Sequence, residues 1–146
     1  MNAARDEEVE GFTAEEKAAM KERAAEVRKS KRSGASGDPA QELLDKIAEM
    51  PDEDRVVAEK IHALVVEHAP TLSHRTWYGM PAYAKDGKVL LFFQPASKFK
   101  ARYSTLGFND LAALDDGNMW PNSYAITSLG PDDERRIAEL IVRAVG

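Results

Sequence analysis

The sequence predicts an α+β fold in which an antiparallel sheet of four to six strands is packed by the helices that flank it. Three observations lead to this class. Apolar residues in the first half recur with helical spacing, whereas the second half is rich in aromatic and β-branched residues. Between two apolar runs of the second half, Asp86-Gly87 has the composition of a hairpin turn. The length of 146 residues suits one compact domain.

Residues 1–37 are predicted to be a helical appendage and a flexible linker, followed by a single domain at 38–146. Thr13 and Glu16 have the spacing of a capping box, which predicts a helix from about Thr13 to Arg32. The apolar positions of this helix are mostly alanine, so it offers little area to bury and we expect it to dock loosely. The run from Ser33 to Gly37 is typical of a linker.

Two helices are predicted at the start of the domain. Asp38 and Pro39 suit a helix start, and Pro51 ends this first, short helix. The next helix should run to about His68, since its apolar residues form one stripe at helical spacing: Val57, Ile61, Leu64 and Val65.

Strands dominate the region after Pro70. The run Val89–Phe93 has no polar alternation, which predicts a central strand covered on both faces. Residues 98–103 alternate basic and apolar side chains and are predicted to form a further strand. A last strand near Ser123–Thr127 precedes a helix that begins at Pro131.

Composition excludes several classes of function. The chain has no cysteine, which excludes thiol chemistry and sulfur ligation of a metal and suits the cytoplasm. Its net charge of −5 argues against general nucleic-acid binding. The start of the sequence is acidic and no segment has about 20 apolar residues, so we expect neither a signal peptide nor a membrane span.

One region has the character of a ligand site. A loop at Gly79-Met80-Pro81, flanked by aromatic residues, could offer backbone N–H groups to a ligand, and the basic face of the predicted strand 98–103 could bind a carboxylate or phosphate. A tight connection into a strand is the favoured interpretation of the loop, and the basic residues could equally be a solvated face. Trp120, beside Pro121, could close such a pocket, with Trp120 or Tyr124 near the basic residues, but capping of the core is the favoured interpretation of Trp120. The candidate ligand residues are Trp77, Tyr78, Gly79, Met80, Pro81, Tyr83, Lys98, Lys100, Arg102 and Trp120.

A candidate metal site lies on the first helix of the domain. Glu42, Asp45 and Glu49 follow one another at i, i+3 and i+7, which places their carboxylates on one helical face. Carboxylate oxygens are ligands for hard cations, but such an acidic face is also what a soluble helix shows opposite its core.

Nothing in the sequence indicates catalysis. The three histidines, His62, His68 and His74, are not expected to cluster, and no His-Glu-x-x-His motif, nucleophile elbow or phosphate-binding loop occurs. An enzyme is therefore the last of the functional classes that the sequence suggests.

The aromatic-Gly-Met-Pro element, the hairpin, residues 98–103 and the flanking helices together resemble the YdhG-like family of small bacterial domains of unknown function. The segments 101–108 and 118–121, with the N-terminal 12–16 segment, resemble an actinobacterial branch of it. Some members are described as frataxin-like intracellular iron chaperones. The resemblance therefore implies a frataxin-like fold and iron as the bound ion, without assigning iron ligands to numbered positions.

Two functions follow from these observations. The first is an iron-binding chaperone, which the family resemblance implies. The alternative is a small-molecule or anion-binding module that uses the aromatic loop and the basic strand.

Overall fold

The computed structural model describes residues 11–31 and 37–146. In these two stretches the chain forms four α-helices and a five-stranded antiparallel sheet whose strands follow one another in sequence order. The α+β class and the predicted range of strand number are thereby confirmed. The helices are α1 (Ala14–Lys31), α2 (Pro39–Ala48), α3 (Asp52–His68) and α4 (Pro131–Val145), and the strands are β1 (Ser73–Trp77), β2 (Met80–Lys85), β3 (Lys88–Gln94), β4 (Ser104–Phe108) and β5 (Ser123–Ile126).

The helices begin where the sequence predicts. The N–H of Glu16 donates to the Thr13 hydroxyl at 3.0 Å, and the N–H of Thr13 donates to the Glu16 carboxylate at 2.9 Å, which completes the capping box of α1. Asp38 caps α2 by accepting the N–H of Ala40, with Pro39 as the first helical residue. Arg32 and the predicted linker residues 33–36 lie outside the described residues.

The core lies between one face of the sheet and the helices α2, α3 and α4. Cross-strand neighbours from β2, β3 and β4 supply its sheet side, where Tyr83, Leu91 and Phe108 lie side by side. Leu43 and Ile47 of α2, Ile61 of α3 and Ile141 of α4 are buried in the same cluster: no α1 residue described by the structure belongs to it.

The unbroken apolar run of β3 includes one residue that a bulge adds to the core face. A bulge interrupts the β2–β3 register, because Tyr83 pairs with Leu91 but Ala84 pairs with Val89. Leu90 is the extra residue, and it joins Leu91 in the main core cluster. Phe92 on the opposite face is only half-buried. β3 is nevertheless the central strand, as predicted.

Phe92 packs against its cross-strand partner Gly107. A Cβ atom at Gly107 would collide with the Phe92 ring, so glycine permits the aromatic ring to lie flat over β4. The ring of Trp77 contacts the same phenylalanine at 5.2 Å between centroids. These contacts form a second, smaller apolar patch on this face of the sheet.

Residues 98–103 are not the strand that the alternation predicts. A 3₁₀ helix spans Ala96–Phe99, and Lys100 has a left-handed backbone with φ of 54°. The buried carboxylate of Asp54 in α3 accepts both the N–H and the hydroxyl of Ser97, and Ser104 accepts the N–H of Ala96. These side-chain acceptors hold the segment in a compact connection between β3 and β4, which competes successfully with an extended chain.

The order of the strands separates the loops into two ends. In an antiparallel meander, the β1–β2 turn and the β3–β4 connection lie at one end of the sheet, whereas the β2–β3 turn and the β4–β5 loop lie at the other. The turn at Tyr78-Gly79 and the basic segment 98–103 therefore share an end. None of the helices in the described stretches has the length and apolar character needed to cross a membrane.

Candidate functional site

The tip of the β1–β2 hairpin presents two backbone N–H groups away from the sheet. Trp77 pairs with Met80, so Tyr78 and Gly79 form a two-residue loop, and both have left-handed backbones with φ of 54° and 73°. Such a turn matches the twist of the strands, but its first position favours Asn, Asp or Gly over an aromatic residue. The N–H groups of the two loop residues do not join the strand ladder and can bind an acceptor.

A carboxylate of α1 binds both of these N–H groups. Tyr78 N–H donates to one oxygen of Glu26 and Gly79 N–H donates to the other, each at 3.0 Å. The Glu26 side chain is only 16% exposed. Since hydrogen bonds to an ionised acceptor are about twice as strong as neutral ones, this bidentate contact is a well-formed carboxylate site.

A second carboxylate of α1 lies between two ammonium groups. Glu22 accepts from Lys98 of the 3₁₀ helix at 2.5 Å and from Lys46 of α2 at 2.9 Å. Burial raises the pKa of the Glu22 carboxyl, but the hydrogen bonds from Lys98 and Lys46 outweigh it, so this pKa lies below its ordinary value. The hydrogen bond to Glu22 in turn raises the pKa of Lys46. Both charges are therefore kept at neutral pH.

A third contact extends the row toward the start of α1. Lys100 lies 3.0 Å from Glu15, and its hydrogen bond lowers the pKa of that carboxyl, although the Lys100 side chain is 79% exposed. Below, "carboxylate groove" denotes the five donors Lys46, Tyr78 N–H, Gly79 N–H, Lys98 and Lys100. The groove joins three parts of the chain: α2, the β1–β2 turn and the β3–β4 connection.

The α1 residues that face the body follow a regular spacing. Contacts with the body involve Glu15, Glu22, Glu26 and Lys29, while Ala19 is buried among them. These positions are separated by four, three, four and three residues, the spacing of a helix face that packs against a partner. A search for apolar residues misses this face because charged residues occupy it; charge patterning at the same period could have found it.

The structure brings together some of the predicted ligand residues. Tyr78, Gly79 and Lys98 meet around the acids of α1, with Lys100 at the outer end. Trp77 stands beside Tyr78 at 4.9 Å between ring centroids. Lys46 belongs to the groove and was not predicted from the sequence.

Other predicted ligand residues lie elsewhere. Met80, Pro81 and Tyr83 are buried, so they belong to the interior of the hairpin and not to a ligand surface. Arg102 is exposed and stacks over the ring of Tyr103 at 5.2 Å, so the three basic residues do not share one strand face.

Trp120 lies in the β4–β5 loop, at the opposite end of the sheet from the hairpin tip. It contributes to a separate cavity of about 360 Å³ and also packs against the main core. This contact fits the favoured interpretation of Trp120 as a cap on the core, whereas closure of a pocket at the basic segment does not fit, because an antiparallel meander sends these two loops to opposite ends. The cavity is lined by Asn109, Asp110, Ala112, Leu114, Asn118, Met119, Trp120 and Asn122.

Comparison of the chain with protein-family models, with curated proteins and with solved structures gives no match. The resemblance to the YdhG-like family and the frataxin-like fold that it implies therefore stay predictions.

Of the predicted metal-binding acids, Glu42 and Asp45 lie on α2 and Glu49 is its C-cap. Glu42 is engaged with Lys29 at 2.8 Å, Asp45 accepts from Gln41 at 2.9 Å, and Glu49 lies 3.9 Å from Lys46. Among the residues that the structure describes, no group of three or more His, Cys, Asp or Glu side chains is arranged to hold a metal ion. Iron binding by these acids stays a prediction.

Two histidines come together, contrary to the expectation from their sequence separation. The rings of His62 on α3 and His74 on β1 lie 5.1 Å apart, and His62 Nδ1 is 2.9 Å from the Tyr83 hydroxyl. Burial lowers the pKa of His62 and, to a smaller extent, so does the neighbouring His74; burial also lowers the pKa of His74 and raises that of Tyr83. All three groups are therefore neutral at pH 7. The pair was missed because helix packing on β1, and not local spacing, brings the histidines together.

Proposed function

We propose that this protein is an anion-binding module whose ligand carries carboxylates that bind in the carboxylate groove. The observation that supports it is the bidentate contact of Glu26 with the N–H groups of Tyr78 and Gly79. The backbone of this turn offers two convergent donors at fixed positions, which favours a planar two-oxygen acceptor over a single-atom ligand.

The lysines supply the charge that the turn lacks. Lys98 and Lys46 lie on either side of one carboxylate, and their side chains are 20% and 35% exposed, so water screens them less than fully exposed pairs. Backbone donors give orientation and ammonium groups give attraction, which together suit a ligand with two or more carboxylates.

The strain of the turn favours the same interpretation. An aromatic residue at positive φ costs about 1–3 kcal/mol, and such backbone conformations are found preferentially at binding sites. Tyr78 therefore holds a turn geometry that its own side chain disfavours. A function that needs the two convergent N–H groups gives a reason for this strained turn.

The test uses the full chain with the resident acids neutralised. In a Glu22→Gln/Glu26→Gln variant, the groove keeps its donors but loses its internal carboxylates, so succinate, as a dicarboxylate probe, should bind at least about tenfold more tightly than to the parent. Isothermal titration calorimetry measures this affinity.

Two further variants control the experiment. Adding Lys98→Gln to the double variant should weaken succinate binding again, whereas Glu139→Gln, an exposed acid of α4, should behave as the parent does. If the double variant binds succinate no better than Glu139→Gln, the groove is not an anion site.

Iron chaperoning, which the family resemblance implies, is tested separately. Titration of the parent with Fe²⁺, beside a Glu42→Gln/Asp45→Asn/Glu49→Gln variant, checks both the ion and the site. Equal iron affinity in the two proteins would show that these three acids do not bind iron.

A further inference from the structure

The groove contacts of α1 form a single row. Glu15, Glu22 and Glu26 stand at i, i+7 and i+11, so they lie within about 40° of one another around the helix and span about 16 Å along it. Each meets a different part of the groove: Lys100, the pair Lys46 and Lys98, and the turn N–H groups. The donors of the groove are therefore arranged at the spacing of a helix.

The helix α1 and the β1–β2 turn approach each other closely at the groove. A Cβ atom at Gly79 would collide with the Glu22 carboxylate, so a side chain at this position would hold the acid away from the lysines. At i+4 of the row, Ala19 is 3% exposed, so a small side chain is buried between the first two acids. Small residues at the contact let the helix and the turn approach closely.

Little apolar burial holds α1 in place. Of the α1 side chains that the structure describes, Ala19 alone is buried, whereas Met20 is 37% exposed. Partly exposed ion pairs each contribute little to stability, because water screens them and ordering long side chains costs entropy. A helix held in this way can be displaced by a competitor with the same row of charges.

We propose that the carboxylate groove is a docking site for an acidic helix of a partner protein, and that α1 is the resident competitor which the partner displaces. The proposal rests on the proposed function and specifies its ligand. The partner helix carries carboxylates at i, i+7 and i+11 and a small residue at i+4. Tethering through the chain between Lys31 and Pro39 keeps α1 at high effective concentration, so the groove stays closed to weak or poorly matched acids.

The experiment measures binding of a fluorescently labelled peptide of residues 13–31 to the full chain by fluorescence anisotropy. The peptide keeps its own capping box and the row of acids. The parent should bind it weakly because α1 competes in cis. The Glu22→Gln/Glu26→Gln protein should bind it at least about tenfold more tightly. A peptide that carries the same two substitutions should lose this gain.

A charge-reversal experiment tests the same contact with a result that a folding defect of the double variant cannot explain. A Lys46→Glu/Lys98→Glu protein should bind the parent peptide poorly and should prefer a peptide with Glu22→Lys, since both ion pairs at this position are then restored with their signs exchanged. The Glu139→Gln protein should bind like the parent.

The outcomes separate the two proposals. If succinate binds the double variant but the peptide binds no better than its substituted form, the groove is a small-anion site and the helix partner is wrong. If neither binds, the proposed function fails as well. If the parent instead forms a dimer that the double substitution abolishes, the groove is filled by α1 of a second copy, which overturns the assignment to a partner protein.

Discussion

At the scale of single residues, Gly79 links the backbone of the hairpin to the docking of α1. Its φ of 73° is disfavoured for any other residue, and a Cβ atom would meet the Glu22 carboxylate. Gly87 provides a matched comparison, because its φ of 82° is similar but no atom lies within 4 Å of the Cβ position.

Gly79→Ala and Gly87→Ala should therefore have different consequences. Each should lose about 1–2 kcal/mol for the left-handed backbone. Gly79→Ala should in addition undock α1, detected as faster hydrogen exchange of α1 amides, whereas Gly87→Ala should leave them protected. Equal α1 protection in the two variants would mean that Glu22 moves aside at no cost.

A second residue-scale prediction concerns His62 and His74. Their pKa values lie below the ordinary 6.5 in the folded state, so below pH 6.5 the unfolded chain binds more protons than the folded one. The stability that they contribute is complete above pH 6.5 and is lost as the pH falls below it, down to the lowered folded values. The urea midpoint should therefore decrease as the pH falls below about 6.5.

The variant that checks the assignment is His62→Gln/His74→Gln, which should flatten this part of the pH profile. Glu22 has a lowered folded pKa, so its stabilising contribution is lost only below its ordinary value of 4.5, and the two effects fall in separate pH ranges. An unchanged slope in the double variant would assign the titration to other groups.

At the scale of elements, α1 differs from the other helices in what holds it. α2, α3 and α4 contribute buried aliphatic residues to the core, whereas α1 is engaged by ion pairs and by the cap that Glu26 forms on the β1–β2 turn. Salt screens ion pairs but does not weaken apolar burial. The two kinds of helix should therefore respond differently to ionic strength.

Hydrogen exchange at two salt concentrations measures this difference. Raising NaCl from about 0.05 M to about 0.5 M should speed exchange of α1 amides severalfold and leave α3 amides unchanged, since the Debye length shortens from about 14 Å to about 4 Å. Parallel changes in both helices would show that α1 opens only when the whole domain unfolds.

At the scale of the whole molecule, the main core cluster lies outside α1. The main core cluster runs from Leu43 to Ala144 and includes no α1 residue within the described stretches. Leu91, Phe93 and Leu106 lie at the centre of the sheet, and they are fully or almost fully buried. Residues 38–146 therefore hold the apolar burial that drives folding.

Deleting residues 1–37 should leave a domain that unfolds cooperatively, with a thermal midpoint only a few degrees below that of the full chain. Differential scanning calorimetry of the two proteins measures this. The calorimetric and van't Hoff enthalpies of the shortened chain should agree, as expected for a two-state domain. A broad transition without agreement would place α1 in the cooperative unit.

The sequence by itself determined the elements whose signals are local. Thr13 with Glu16, Asp38 with Pro39, and Asp86-Gly87 act through neighbouring backbone groups, so the helix starts and the hairpin could be predicted from spacing alone. The antiparallel sheet could be predicted in the same way, because hairpin turns and apolar runs reflect the conformational preferences of neighbouring residues.

Tertiary structure decided the position and the partners of side chains that can be accommodated in more than one environment. Residues 98–103 alternate as a strand would, but acceptors on α3 and β4 and the acids of α1 draw them into a 3₁₀ helix and a connection. His62 met His74, and Lys98 met Glu22, only through packing of elements that are distant in sequence. Charged and polar side chains are satisfied by any partner of suitable geometry, so their local pattern does not specify which partner the fold provides.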